Sequence, residues 1–169
     1  MPDMEQGSQI AACIPRLRRY ARALVNDRTA ADDLVQDTLE RAWTKIQQFR
    51  VGTDLRAWMF SIMHNVHLNQ VRSRREAVSF DEEAHDVWQR ATQDDALEMR
   101  DMDRAMQALP VEQREVLLLV ALEDLSYEEV AKTLGIPLGT VMSRLSRGRE
   151  RVRSLMNGTP VIQKLVVVK

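Results

Sequence analysis

A chain of 169 residues, 44% hydrophobic and 29% charged, has the makeup of one medium or two small globular domains. No apolar run approaches the roughly 20 residues needed to cross a bilayer, and the opening MPDMEQGSQ has neither the basic nor the apolar region of a signal peptide, so a cytoplasmic protein without membrane insertion is expected. The near-neutral net charge of −1 hides a segregation: 12 basic and 6 acidic side chains from Arg16 to Arg75, 4 and 14 from Glu76 to Asp124, then 6 and 3 from Leu125 to Met156. Two basic segments around an acidic one suit a protein that grips an anion at two places and keeps its connector away from it. The single Cys13 excludes an internal disulfide and reads as a small core or boundary residue.

The residues up to about Gly7 read as frayed. From there to about Val25, Ile14, Leu17, Tyr20, Ala21 and Leu24 recur at helical spacing, with Pro15 beginning or kinking the helix. Asn26-Asp27-Arg28 reads as a turn. A second helix, about Thr29 to Phe49, has Leu34, Val35, Leu39, Ala42, Trp43 and Ile46 as its core face, and Asp33, Gln36, Asp37, Glu40 and Arg41 make an acidic opposite face. Asp32 and Asp33 are read into its first turn, where the helix dipole favours carboxylates; that does not account for Asp37 and Glu40.

Thr53 or Asp54 caps a third helix extending to about Arg75, whose buried stripe is Leu55, Trp58, Met59, Ile62, Met63, Val66 and Val71. Trp58 and Phe60 read as core rather than as a base-stacking platform. His64, Asn65, His67, Asn69 and Gln70 line the rest of the helix, followed by Arg72, Arg74 and Arg75. Such a cluster sets hydrogen-bonding groups that can read exposed base edges beside cations that can hold phosphates. Ala77 to about Ala96 is acidic, lacks periodicity and reads as a flexible linker. A helix resumes around Leu97 to Leu109, with Met99, Met102, Met106 and Leu109 on one side. Pro110 then opens another, apolar nearly all round from Val116 to Leu122, as the central helix of a small bundle would be.

Residues Ser126 to Leu155 have the layout of a helix-turn-helix. Ser126 and Glu129 make a capping box, Val130, Ala131 and Leu134 an apolar stripe, and Gly135-Ile136-Pro137 a turn that stops the first helix. In the second helix Val141, Met142, Leu145 and Val152 fall on a packing face, and Thr140, Ser143, Arg144, Arg147 and Arg151 on the other. Five arginines from Arg144 to Arg153 against the single acid Glu150 repel one another until an anion neutralises them, and hydroxyls with guanidinium forks suit a DNA major groove. Gly148 lies inside this helix, where glycine costs roughly 1 kcal/mol, and is expected to loosen it. The tail PVIQKLVVVK fits neither helical module. No histidine and cysteine set has metal-ligand spacing, and no phosphate-cradling loop, nucleophile elbow or acid–base carboxylate pair is present, so no cofactor and no catalytic residue are expected.

The order of modules resembles the extracytoplasmic-function group of bacterial RNA polymerase sigma factors, small members of the sigma-70 family. The resemblance rests on ADDLVQDTLERAW at Ala31 to Trp43, LRAWMFSIMHNVHLNQVRSRR at Leu55 to Arg75, and LPVEQREVLLLVALEDLSYEEVAKTLGIPLGTVMSRLSRGRERV at Leu109 to Val152. It implies an all-α fold of two small helical domains: 8–76 binding core polymerase and melting the minus-10 element, 77–96 a flexible acidic linker, 97–156 reading the minus-35 element, and 157–169 a tail. The first motif is similar to the surface docking on the β′ clamp helices, which implies Asp33, Gln36, Asp37 and Arg41 as core-binding residues. The second implies that Asn65, Asn69, Arg72, Arg74 and Arg75 hold the minus-10 strand, although Asn69 stands where an acid is common. The third implies Arg144 and Arg147 on minus-35 bases, with Thr140, Ser143 and Arg151 setting register on phosphates. Implied partners are core polymerase, through the β′ clamp helices and the β flap, promoter DNA and an anti-sigma protein. A role in a stress response is implied as well. The alternative is a stand-alone helix-turn-helix regulator, which would need a dimer to span two half-sites.

Overall fold

The computed structural model describes residues 3–78 and 97–158, and within them every regular element is helical. The linker reading over 79–96 and the tail from 159 lie outside the described residues. The first half holds α1 (Met4–Val25), α2 (Arg28–Lys45) with a 3-10 turn after it (Ile46–Gln48), and α3 (Leu55–Val78). The second holds α4 (Leu97–Gln107), α5 (Val111–Ala121), α6 (Tyr127–Leu134) and α7 (Leu138–Met156).

The start of α1 is ordered where fraying was expected, because the Asp3 amide donates to Gln6 Oε1 at 3.1 Å and so closes the first turn. Pro15 lies inside α1. Asn26 ends the helix at φ +40°, a conformation asparagine tolerates better than most residues. Asp27 then caps α2, accepting from the Thr29 amide at 3.1 Å. That cap moves the helix start to Arg28, so Asp32 and Asp33 fall beyond the first turn and owe nothing to its dipole. Asp54 rather than Thr53 caps α3, accepting from the Arg56 and Ala57 amides, while the Thr53 hydroxyl donates to the Arg50 carbonyl.

Leu17, Tyr20, Leu24, Leu34, Ile46, Met59, Phe60 and Met63 pack the first half with almost no exposure. Phe60 meets Tyr20 edge to face with ring centroids 5.0 Å apart, and Trp58 packs against Phe49, so both are core residues as read. Trp43 is not: it is 52% exposed, lying beside Gly7 at the edge of the bundle. Met102 is also exposed, although Met106 and Leu109 turn inward as their spacing predicts.

In the second half the Ser126–Glu129 capping box forms in both directions, at 2.7 and 3.2 Å, and Gly135 sits at φ +65°. Val141 and Leu145 bury α7, whereas Met142 is 52% exposed and leaves the packing face assigned to it. Gly148 is buried, and a Cβ there would lie 2.9 Å from Leu117 Cδ1 and 3.3 Å from Leu117 Cγ. Its role is close approach of α7 to α5, the opposite of loosening.

The two halves pack together, α1 against α4 and α5, and α3 against α6, and one apolar cluster runs through both. The seam between them is polar. At the end of α1, whose last carbonyls have no partner within the helix, Gln107 Nε2 donates to Ala23 O at 3.0 Å and Arg114 Nη1 to Leu24 O at 2.6 Å. Arg19 Nη2 donates to Leu122 O and to Glu123 Oε1, and Arg16 lies 3.6 Å from Glu123 Oε2. His64 Nδ1 is 2.8 Å from Glu115 Oε1, with His67 Nδ1 4.0 Å from the same oxygen.

Candidate nucleic-acid interface

Two exposed polar surfaces stand out, one on each half. In the first, α2 and α3 border an open groove whose walls carry Asp33, Asp37 and Arg41 from α2 and Asn69, Gln70 and Arg74 from α3. Gln36 is exposed on the same side of α2 as Asp33 and Asp37. Gln70 Nε2 donates to Asp37 Oδ2 at 2.8 Å, so the carboxylate is oriented by α3. Helical spacing aligns Asn65, Asn69 and Arg72 on one exposed face, and Arg74 turns into the groove. The acids expected to meet a protein partner and part of the set expected to hold DNA thus share one cleft.

His64, His67 and Gln70 depart from the base-reading cluster into which their spacing placed them. Both imidazoles face Glu115 in the seam between the halves, His67 being only 5% exposed, and Gln70 serves Asp37. Burial holds His67 below the usual imidazole range; Glu115 opposes that shift, and His64, Arg74 and Arg114 reinforce it. Among the described residues no group of three His, Cys, Asp or Glu side chains is placed to hold a metal ion.

The second surface is on α7. Thr140, Arg144, Arg147 and Arg151 recur at intervals of four, three and four, which lays them along one side of the helix. Ser143 and Arg147 are exposed, whereas Thr140, Arg144 and Arg151 are half-buried. The Ser143 hydroxyl donates to the Thr140 carbonyl at 3.1 Å and is held against the helix. Among the described residues no carboxylate pairs with Arg144, Arg147 or Arg151, in contrast to Arg16, Arg19 and Arg56, each of which has an acid within reach. A helix of unpaired guanidinium groups presented by a capped helix-turn-helix has the charge and shape that suit an anionic groove.

Sequence reasoning missed the charged residues at the heart of the molecule. Arg114 is 8% exposed, Glu115 2% and Glu123 0%. The signal was present in VEQREVLLLV, where an adjacent Arg and Glu enter an apolar helix: charges there are rarely buried without partners.

Comparison with known proteins follows this division. Residues 10–64 match the family model described as the Sigma2 domain of PhyR, and residues 99–152 match Sigma-70, region 4. The chain is 36% identical over 152 residues to the ECF RNA polymerase sigma factor EcfG of Rhodopseudomonas palustris, covering 87% of this chain and 82% of that one. It is also similar to the sigma factor RpoE of Bartonella quintana in its complex with the anti-sigma factor NepR, with a TM-score of 0.82, 33% identity, and coverage of 92% of this chain and 98% of that one. A third likeness is to CnrH in complex with the cytosolic domain of CnrY, with a TM-score of 0.67, 28% identity, and coverage of 91% and 88%. The helix-turn-helix with its open arginine face, the separate polar groove and these relatives agree: the chain belongs to the extracytoplasmic-function group of RNA polymerase sigma factors.

Proposed function

We propose that the two surfaces divide the work of promoter recognition. The α2 face, with Asp33, Gln36, Asp37 and Arg41, docks on the β′ clamp helices of core polymerase, where an acidic patch with apolar backing suits a basic helical partner. Asn65, Asn69, Arg72, Arg74 and Arg75 hold the displaced minus-10 strand: an amide pairs with a base edge once the base has left the stack, and the binding energy offsets the cost of opening. Arg144 and Arg147 read minus-35 bases, each bidentate pair with guanine contributing about 1–3 kcal/mol of discrimination. Thr140, Ser143 and Arg151 fix the register on phosphates. The domains follow as 8–76 for core binding and minus-10 melting and 97–156 for the minus-35 element and the β flap, with 77–96 connecting them.

The chain acts in the cytoplasm with the polymerase, contributes no catalytic residue of its own and needs no cofactor; no described helix is long and apolar enough to cross a membrane. An anti-sigma protein is its third partner, by analogy with RpoE of Bartonella quintana in its complex with NepR, and a stress regulon is its output. The observation that carries this reading is the presence of two separate polar surfaces in one chain, the unpaired arginines of α7 and the amide-and-arginine face of α3.

The match of residues 10–64 to the Sigma2 domain of PhyR, an anti-anti-sigma factor seen in complex with the anti-sigma factor NepR in Bartonella quintana, raises a second reading, a sigma-like decoy that engages an anti-sigma protein instead of a promoter. A decoy has no use for an open arginine face on α7. Transcription in vitro with purified core enzyme on a panel of native stress promoters separates these readings. Specific initiation only when both the chain and core are present supports the division of labour. No initiation, together with tight anti-sigma binding, supports the decoy, and a footprint on a palindromic operator without polymerase supports the stand-alone regulator.

A further inference from the structure

Two side chains of α7 have no part in the packing or in the arginine face. Leu138 and Met142 are 41% and 52% exposed and lie four residues apart, so they stand one above the other in the first two turns of the helix. Exposing two large apolar side chains together is unfavourable in water, and a partner that covers them recovers that free energy. The helix around them is cationic: among the described residues no carboxylate pairs with Arg144, Arg147, Arg149, Arg151 or Arg153. A partner for this surface is therefore anionic and also carries small apolar groups.

Position around the helix narrows the choice. At about 100° per residue, the arc facing away from the buried Val141, Leu145 and Gly148 holds Gly139, Ser143 and Ser146, all small and exposed. A Cβ added at Gly139 would meet nothing within 4 Å. Met142 borders this arc on one side, with Leu138 beyond it, and Arg147 borders it on the other. So small an arc offers no apolar floor on which a protein partner could build a dry centre. It does let a helix sink between two walls of phosphate, with the arginines reaching the walls and the margins of the arc meeting base edges. In a helix-turn-helix it is the start of the second helix that touches the bases, and there Leu138 and Met142 lie. The apolar group that a base pair presents in the major groove is the 5-methyl of thymine.

We propose that Met142, with Leu138 extending the apolar strip one turn before it, packs on a thymine 5-methyl group in the minus-35 element and so fixes an A·T pair at one position of that element. The proposal rests on the assignment of α7 to the minus-35 element. The arginines hold phosphates and guanines, to which a methyl group is irrelevant; Met142 supplies the contact that they cannot make. An unbranched thioether has the freedom to follow the methyl across the groove floor.

The test uses holoenzyme assembled from the full chain and core polymerase on native promoters. Each thymine of the minus-35 region, on either strand, is replaced in turn by deoxyuridine, which removes the methyl and leaves the hydrogen-bonding edge unchanged. The parent should bind about fourfold more weakly at one position or at two adjacent ones, the equivalent of one buried methyl group, and be indifferent at the rest. Met142→Ala should bind the thymine and uracil versions equally, and Met142→Leu should restore part of the difference. Helical content should match the parent in both variants, because Met142 is exposed. If no thymine is sensitive to its methyl, or if Met142→Ala keeps the parent's sensitivity, the contact is overturned while reading by the arginines stands. It is overturned as well if Met142→Ala weakens binding to a purified anti-sigma protein and leaves the thymine-to-uracil ratio unchanged, since the apolar pair then serves a protein partner. A parent holoenzyme whose binding is unaffected by scrambling the whole minus-35 region overturns the assignment of α7 instead.

Discussion

Arg114 is the residue whose replacement tests the reasoning about this fold most sharply. Its guanidinium donates four hydrogen bonds, all to main-chain carbonyls: Nε to Met106 at 2.8 Å, Nη2 to Gln107 at 2.9 Å and to Leu109 at 2.8 Å, and Nη1 to Leu24 at 2.6 Å. Three of the acceptors gather where α4 ends, and the fourth belongs to the last turn of α1, places where helices leave carbonyls without partners and the dipole favours a cation. Burial lowers the Arg114 pKa from the usual arginine value, and Glu115 counters that shift. A hydrogen bond to a charged group contributes about 1.5–3 kcal/mol, but four that share one desolvated cation do not add. The net loss for Arg114→Ala is therefore set at roughly 3–5 kcal/mol, most of it the cost of carbonyls left dry.

Arg114→Met keeps much of the volume and still strands the carbonyls, so it should cost about 3 kcal/mol. Arg114→Lys, with a single ammonium that cannot span both helix ends, should cost about 2 kcal/mol. Equilibrium unfolding in urea, followed by far-ultraviolet circular dichroism, measures all three, and the alanine variant should melt roughly 10 °C below the parent. A loss under about 1 kcal/mol for alanine, or a methionine variant more stable than the parent, would show that these carbonyls find water readily and that Arg114 is dispensable.

Gly148→Ala gains roughly 1 kcal/mol of helix propensity, but its Cβ must displace the Leu117 side chain from 2.9 Å. Overpacking of this kind costs about 1–3 kcal/mol, so denaturant titration should show a net loss of about 1 kcal/mol; a net gain would mean that Leu117 yields freely. Because burial holds the folded-state pKa of His67 below its unfolded value near 6.5, the folded chain binds fewer protons than the unfolded one as acidity rises. That contribution is intact above about pH 6.5 and is lost as pH falls below it, with the charges of Glu115, His64, Arg74 and Arg114 acting on the ring. The stability of His67→Phe should therefore change less between pH 7.5 and 5.5 than that of the parent, and parallel pH profiles would contradict the burial argument. Arg144→Ala should weaken promoter discrimination by about 1–3 kcal/mol while sparing core binding, and Asp37→Ala should do the reverse, as read by competition footprinting and by core-binding titration. If both variants fail at the same step, the two surfaces do not divide the work.

Much of this molecule is written in short-range pattern. Helix existence follows from apolar residues at a period of 3.6, and the stops from residues whose conformational limits are local: Asn26, Gly135 and the Ser126–Glu129 box behave as their chemistry dictates. The open arginine face of α7 was legible for the same reason, since like charges on one helix declare their need for a partner wherever the helix packs. Periodicity cannot say which side of an amphipathic boundary a residue takes. Trp43 and Met142, each at the margin of an apolar stripe, turn out to be exposed, Trp43 even though the edge of its ring lies beside Gly7 of α1.

The adjacent Arg114 and Glu115 in an apolar helix marked charges in need of partners, but nothing local said which partners the seam between the halves supplies. Arg114 reaches a carbonyl of α1 90 positions away, Glu123 meets Arg19 at a separation of 104, and His64 meets Glu115 at 51. Each pairing depends on two helices from different halves arriving at one place, which only tertiary packing arranges. The sequence by itself determined the helices, several of their stops and the family, because these follow from contacts within a few turns and from ordered motifs. The folded chain decided which charges go inside, because burying a carboxylate is tolerable only where a distant cation, imidazole or main-chain group is already in position.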